Sequence, residues 1–417
     1  MRILFSAFAC LPERGSEPGV GWNWAIHMAK YNEVWVLTRE GNKKCIEEYL
    51  KSNPINNLKF IYCSFPIISF LEKKTHWKVI VVYYRLWQMI AYLNARKNDK
   101  IYNFDIIHHI TYNEFRNPGY LWRLKKPFVL GPLGGGQEIE NQLLDYCEGK
   151  RNLIKEKVRF WLNLICMNSN YVKNAFKNSQ YVFIADSSTY EYLNVKEDKY
   201  KLYLETGISK DKVHEKDYLS KTDEEIKILW VGSLIYRKGF GILIDAFNKL
   251  ENKEKYKVIV IGDGPLKKLY TNRIQSYGLD EYFHFKGKLD YKDVLNYYQQ
   301  SDFFIFTSLR DTSGNVVIEA MANGLPIVTI NHNGVGDIVD ENSGIKIDVL
   351  TKEQVISDFA KAIQRLGDNQ LLRANLGRNA CTRIIDNYTW EEKIEFMNKI
   401  YKDIELPNNT TEFARDL

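Results

Sequence analysis

The chain has no Cys-x-x-Cys pair, no Gly-x-Gly-x-x-Gly turn, no Asp-x-Asp pair and no run of about 18 uncharged apolar residues. Each absence removes a class of function. The six cysteines, Cys10, Cys45, Cys63, Cys147, Cys166 and Cys381, are scattered. They read as reduced thiols of a cytoplasmic protein, not as disulfides or a zinc site. Without the glycine fingerprint, and without an acidic residue suitably placed after it, a nucleotide-dependent oxidoreductase is disfavoured. Without a long apolar run, no spanning helix is expected. The opening MRILFSAFAC is too short and unsuitably flanked for a signal peptide and reads as a first strand. A net charge of +6 is mild and does not call for nucleic acid.

What is present is a globular composition. Of 417 residues, 45% are hydrophobic and 26% charged, so the chain can bury large cores, and its length predicts two domains. Strand–loop–helix units recur along it, the signature of parallel, doubly wound sheets. Two Rossmann-like halves are expected, an α/β fold with the ligand cleft between them. A charged stretch, 208–227, reads as the linker.

The segment 307–336, TSLRDTSGNVVIEAMANGLPIVTINHNGVG, carries the most chemistry. An apolar strand (303–306) runs into a small, polar loop, and a helix-forming run follows from Val316. The free N–H groups and dipole of that helix start suit a phosphate. Asp311 and Glu319, eight residues apart, suit sugar hydroxyls better than phosphates. Arg237 and Lys238 sit on another loop that opens a helix, a second element of a diphosphate site.

In the first half, glycines 15, 19 and 21 precede a helix and let a phosphate approach the backbone. The strand DIIHHI ends in His108 and His109, followed by Tyr112 and Asn113. Alternation allows only one histidine to point into the crevice; His109 is preferred and His108 is the alternate. GPLGGGQE brings Gly135, Gln137 and Glu138 to the same edge. The stretch from Lys73 to Lys97 is apolar with flanking cations. It reads as a helix of the first domain's core, as a contact with an anionic membrane surface, or as both.

These motifs resemble the retaining GT-B glycosyltransferases of family 4, the glycosyl transferases group 1. The resemblance spans most of the chain and is densest over 229–239, 262–265 and 307–336. It implies an acceptor-side domain over 1–207, a nucleotide-sugar donor domain over 208–385, and a helical tail, 386–417, that crosses back to the first domain. It implies transfer of a hexose-type sugar from a nucleotide-diphosphate sugar to a hydroxyl on a glycan or lipid-linked acceptor, in bacterial surface polysaccharide or glycolipid assembly. The enzyme would be metal-independent and without cofactor, cytoplasmic or peripheral at the inner face of the membrane. By the same resemblance, Glu319 reads the donor ribose and Asp311, one methylene shorter than the usual glutamate, the transferred sugar. Ser313, Gly314, Asn315, Val316 and Val317 hold the phosphates with Lys238. Ser233 replaces the family's usual arginine, and Arg237 is its candidate substitute. Gly264, Pro265, Lys288 and Leu289 border the nucleobase, Gly15 and Gly19 face the phosphates, and His109 stands near the sugar. A nucleotide-sugar hydrolase or epimerase on the same fold, or a non-catalytic sugar-binding relative, is the alternative.

Overall fold

The computed structural model describes residues 1–64, 77–112, 114–219 and 225–405. Two sheets organise them. The first comprises β1 (Arg2–Ser6), β2 (Glu33–Arg39), β3 (Leu58–Cys63), β4 (Ile106–His109), β5 (Phe128–Leu133), β6 (Tyr181–Ile184) and β7 (Tyr200–Leu202), in the order β3-β2-β1-β4-β5-β6-β7. The second comprises β8 (Ile226–Val231), β9 (Tyr256–Ile261), β10 (Phe283–Gly287), β11 (Phe303–Phe306), β12 (Ile327–Ile330) and β13 (Gly344–Ile347), in the order β10-β9-β8-β11-β12-β13. The strand pairs are parallel throughout. Each sheet reverses its winding beside its first strand, between β1 and β4 and between β8 and β11. Such a reversal opens a crevice at the carboxyl ends of those strands.

The strands read as apolar runs because both sheet faces are covered. In β11 all four residues of FFIF are buried. Phe303 and Ile305 enter one core and Phe304 and Phe306 the other. Burying each such side chain contributes about 1.5–3 kcal/mol. The first sheet is flanked in the same way, with Trp87 and Phe104 on one side and Trp24 and Phe5 on the other.

The two halves are joined twice. The chain leaves the first sheet through residues 203–208 and returns through 388–390. The crossings lie side by side: Trp390 N–H donates to Ile208 O at 2.9 Å, and Ile208 N–H to Tyr388 O at 3.0 Å. The last helix, Trp390–Glu405, packs on Ser16–Met28, burying Trp390, Ile394, Met397 and Tyr401. The stretch 208–227 is less free than a charged linker suggests. Tyr218 is buried, its hydroxyl between the carbonyls of Asp302 (2.8 Å) and Gly324 (3.0 Å). Residues 220–224 lie outside the described residues.

The helix Trp77–Tyr102 turns Tyr83, Tyr84, Trp87, Ala91 and Ala95 into the core. The core reading of the stretch from Lys73 to Lys97 therefore holds for this face; Lys73 and Lys74 lie outside the described residues. Among the described residues, no helix is long and apolar enough to cross a membrane.

Candidate active site

A cleft of ≈ 1030 Å³ opens where the two switch points face each other, lined from both halves. Its C-terminal wall is built by two loops laced together. Leu309 N–H donates to Arg237 O at 2.7 Å, and the Thr307 hydroxyl to Lys238 O at 2.9 Å. The Ser308 hydroxyl adds a bond to Arg237 O at 3.0 Å. The loop after β8 is thereby fixed to the loop after β11, and Lys238 ion-pairs with Asp311 although they lie 73 residues apart. Arg237 stands 3.5 Å from the same carboxylate oxygen. Burial works to raise the Asp311 carboxyl, but Lys238 and Arg237 hold it below its ordinary value.

Gly314 precedes the helix Asn315–Ala322 with φ 58°. A Cβ there would stand 2.9 Å from Val335 Cγ2 and 3.1 Å from Phe306 Cζ, so both conformation and space require glycine. The turn brings the start of the helix to the cleft, which Ser313, Asn315 and Val316 line. Glu319 lies one turn further along. The buried Tyr298 hydroxyl donates to its Oε2 at 3.0 Å. Burial raises the Glu319 carboxyl to about 7, with the Tyr298 bond and Lys212 opposing. The wall thus holds two carboxylates shifted in opposite directions, Asp311 lowered by the cations beside it and Glu319 raised by burial.

The N-terminal wall is the glycine loop after β5. Gly134 stands so close to Thr312 that a Cβ would meet its Cγ2 at 2.8 Å. Gln137 Nε2 lies within hydrogen-bond distance of Thr312 Oγ1 (2.9 Å) and of the buried Asp186 carboxylate (2.7 Å). Burial raises Asp186 to about 7, against hydrogen bonds from Thr189 and Gln137. Arg310 crosses to Glu156 at 3.1 Å, and that carboxylate also accepts the Tyr236 hydroxyl at 2.6 Å. The cleft is therefore held between the halves by direct bonds.

Residues 211–383 match the sequence model of a family described as glycosyl transferases group 1. The matched segment makes up most of the C-terminal half and carries the second sheet. An uncharacterized glycosyltransferase of Methanocaldococcus jannaschii is 28% identical over 244 residues, covering 55% of this chain and 60% of that protein. The chain spans about half the length of several further curated relatives. Sucrose-phosphate synthase from Thermosynechococcus elongatus superposes with a TM-score of 0.65 at 16% identity, covering 98% of this chain and 100% of that one. HepE of Anabaena in complex with UDP superposes at 0.61 and 14% identity, covering 97% and 100%. The architecture is accordingly the GT-B fold, two Rossmann-like domains facing across a cleft.

The expected site residues divide unequally over the two walls. From the C-terminal half, Ser233, Arg237, Lys238, Lys288 and Leu289 line the cleft, with Asp311, Ser313, Gly314, Asn315, Val316 and Glu319. Val317 does not; it turns inward and is fully buried. Gly264 and Pro265 also miss it. The loop folds against Leu234 at Gly264, and Gly262 and Asp263 reach the cleft instead. In the first half, Gly15, Gly135 and Gln137 line the cleft; Gly19 packs against Arg14 behind it, and Glu138 points to solvent. Tyr112 packs on Phe8 and Tyr84, and Asn113 lies outside the described residues.

The histidines need correction. Both belong to β4 and are buried on opposite faces of the sheet. His108 is bracketed by the Tyr401 hydroxyl (2.5 Å) and Gly131 O (2.7 Å). His109 lies between the Tyr84 hydroxyl and Ser6 Oγ, both at 3.2 Å. Burial lowers His108 to about 3 and His109 to about 4, so both are neutral imidazoles of the core. The strand runs on through both, and the residue that borders the cleft is the next one, Ile110, itself buried.

Sequence reading passed over Glu17, Glu114, Arg116, Glu205 and Arg310, all of which line the cleft. Glu205 is the most telling. It sits on the first crossing between the halves, and its Oε2 is buried without a hydrogen-bond partner. Burial raises its carboxyl, with Ser313 and Lys393 opposing. It lay next to a stretch whose charge made it look like linker; its place at the end of β7, where a parallel strand delivers residues to the crevice, was the available signal.

Proposed function

We propose that the protein transfers a sugar, with retention of anomeric configuration, from a nucleoside diphosphate sugar to a hydroxyl of a glycan or lipid-linked acceptor, in the assembly of bacterial surface polysaccharide or glycolipid. The observation that carries this reading is the wall in which Lys238 and Arg237 are fixed beside Asp311 at the start of the helix Asn315–Ala322, with Glu319 one turn in. That grouping offers positive charge and amides for a diphosphate, and carboxylates for the hydroxyls at either end of it.

In the reaction, the bond between the anomeric carbon and the β-phosphate oxygen breaks and its electrons stay on the phosphate. Arg237, Lys238 and the amides following Gly314 stabilise that charge where it develops. The acceptor hydroxyl attacks on the face the phosphate leaves, and its proton passes to the departing phosphate oxygen. Asp311 accepts hydrogen bonds from the transferred sugar and Glu319 from the ribose. With both histidines in the core, Glu205, one of the first-half carboxylates that line the cleft, is placed to receive a substrate hydroxyl. The reading needs no cofactor beyond the donor. It places the protein in the cytoplasm, where free thiols such as exposed Cys45 stay reduced.

Purified protein incubated with nucleotide sugars, with and without a glycolipid or polysaccharide acceptor fraction, tests the reading. Acceptor-dependent release of nucleoside diphosphate and a product of unchanged anomeric configuration are expected. Rapid release without acceptor points to a hydrolase instead, and release under neither condition to a non-catalytic relative.

A further inference from the structure

The helix Lys150–Asn168 has two unlike faces. Successive residues of a helix turn by about 100°. On that wheel Glu156, Arg159 and Asn163 share one side and all three work at the cleft. Arg159 donates to Gly135 O at 3.0 Å and Asn163 to the same oxygen at 2.9 Å, while Glu156 holds Arg310. On the opposite side Ile154, Val158, Trp161, Leu162 and Ile165 fall within an arc of about 100°. That side is open: Ile154 is 60%, Trp161 62% and Ile165 65% exposed. Lys150 and Lys157 border the stripe along one edge and Lys155 along the other, with Arg151 at its N-terminal end, all exposed. The helix's one acidic residue, Glu156, is turned inward.

We propose that this outer face docks on an anionic lipid surface. An apolar stripe with a tryptophan, flanked by cations on both edges and free of carboxylates, fits a bilayer interface, where the apolar side chains enter the acyl boundary and the cations meet lipid phosphates. Charge argues against a second copy of the chain, since pairing would set four cations of one helix against four of the other. It also moves the membrane contact away from the helix Trp77–Tyr102, whose Tyr83, Tyr84, Trp87, Ala91 and Ala95 are spent on the core. Because the inner face of the docking helix holds Gly135 and Arg310, which line the cleft, the surface would lie on the order of one helix diameter, roughly 10 Å, behind the cleft wall. A lipid-linked acceptor would thus be offered to the cleft; that consequence rests on the proposed transfer, whereas the docking itself does not.

Flotation of the full-length protein with phosphatidylcholine vesicles, with and without phosphatidylglycerol, tests it. Binding is expected only with phosphatidylglycerol, weakened by salt. Trp161→Asp and the pair Lys150→Glu/Lys157→Glu should each lower the bound fraction about tenfold, with circular dichroism and thermal midpoint unchanged. Equal flotation of Trp161→Asp and wild type overturns the proposal, as does absence of the protein from the phosphatidylglycerol fraction. Self-association in sedimentation without lipid, abolished by Trp161→Asp, would overturn it in favour of a second copy. None of these readouts uses turnover, so failure here leaves the transfer reading standing.

Discussion

The ion pair between Lys238 and Asp311 makes a counter-intuitive prediction. Asp311 compensates the lysine that the account assigns to the diphosphate, so a bound diphosphate shares that cation with a carboxylate. Asp311→Asn should therefore tighten binding of the bare nucleoside diphosphate while abolishing transfer. At an effective dielectric of about 20, a phosphate charge about 7 Å from the carboxylate is repelled by roughly 2.4 kcal/mol. The cleft is open to water, and screening reduces this by about half, which leaves close to a tenfold gain in affinity. The substitution also weakens the pairing of Lys238, a side chain only 14% exposed, and should lower stability by about 1–3 kcal/mol. The Asp311 carboxyl is held low in the fold, so the stability it contributes is present above its ordinary value of 3.8 and is lost as pH falls through the depressed value. Isothermal titration of UDP, GDP and ADP into wild type and Asp311→Asn decides the matter. Unchanged or weaker binding of every diphosphate by the variant would show that Lys238 and Asp311 do not share a phosphate site.

Three further outcomes follow from the same geometry. Glu319, raised to about 7 from 4.5, contributes stability that is full below 4.5 and lost as pH rises through about 7; Glu319→Gln should flatten that part of a thermal-midpoint profile, and wild-type nucleotide affinity should rise through the same window as the carboxylate becomes the stronger acceptor. Gly314→Val, forced to φ 58° against Val335, should cost about 1–3 kcal/mol by chemical denaturation and abolish nucleotide binding; normal binding would remove the helix start from the site. Glu205→Gln should lower kcat by about tenfold or more with nucleoside diphosphate affinity unchanged, and unaltered kinetics would make Glu205 a structural carboxylate only.

The donor wall was legible because parallel sheets deliver their loops to one edge. Once 227–231 and 303–306 read as parallel strands of one sheet, the loops bearing Lys238 and Asp311 fell on the same edge, and the pairing of the two strands brings them together. The histidines show where this reasoning stops. Alternation separates His108 from His109 but does not say where the strand ends, and the crevice begins one residue later than expected, at Ile110. Glu205 was hidden because it reads as the last residue of a strand beside a charged stretch, and nothing in that pattern says that the chain passes the cleft there. The two amphipathic helices make the same point. Both Trp77–Tyr102 and Lys150–Asn168 carry apolar stripes at helical spacing, yet one stripe is buried and the other open. Periodicity reports that a face exists, and only packing reports what lies against it.

The central claim is that the wall around Asn315–Ala322 binds a nucleoside diphosphate sugar. A thermal-shift screen of nucleotide sugars against wild type and Glu319→Ala tests it most directly. The account predicts that at least one donor stabilises wild type, by about 2.7 kcal/mol at a hundred times its dissociation constant, and that Glu319→Ala folds normally but loses the shift. An equal shift in both proteins, or none with any donor, would contradict it.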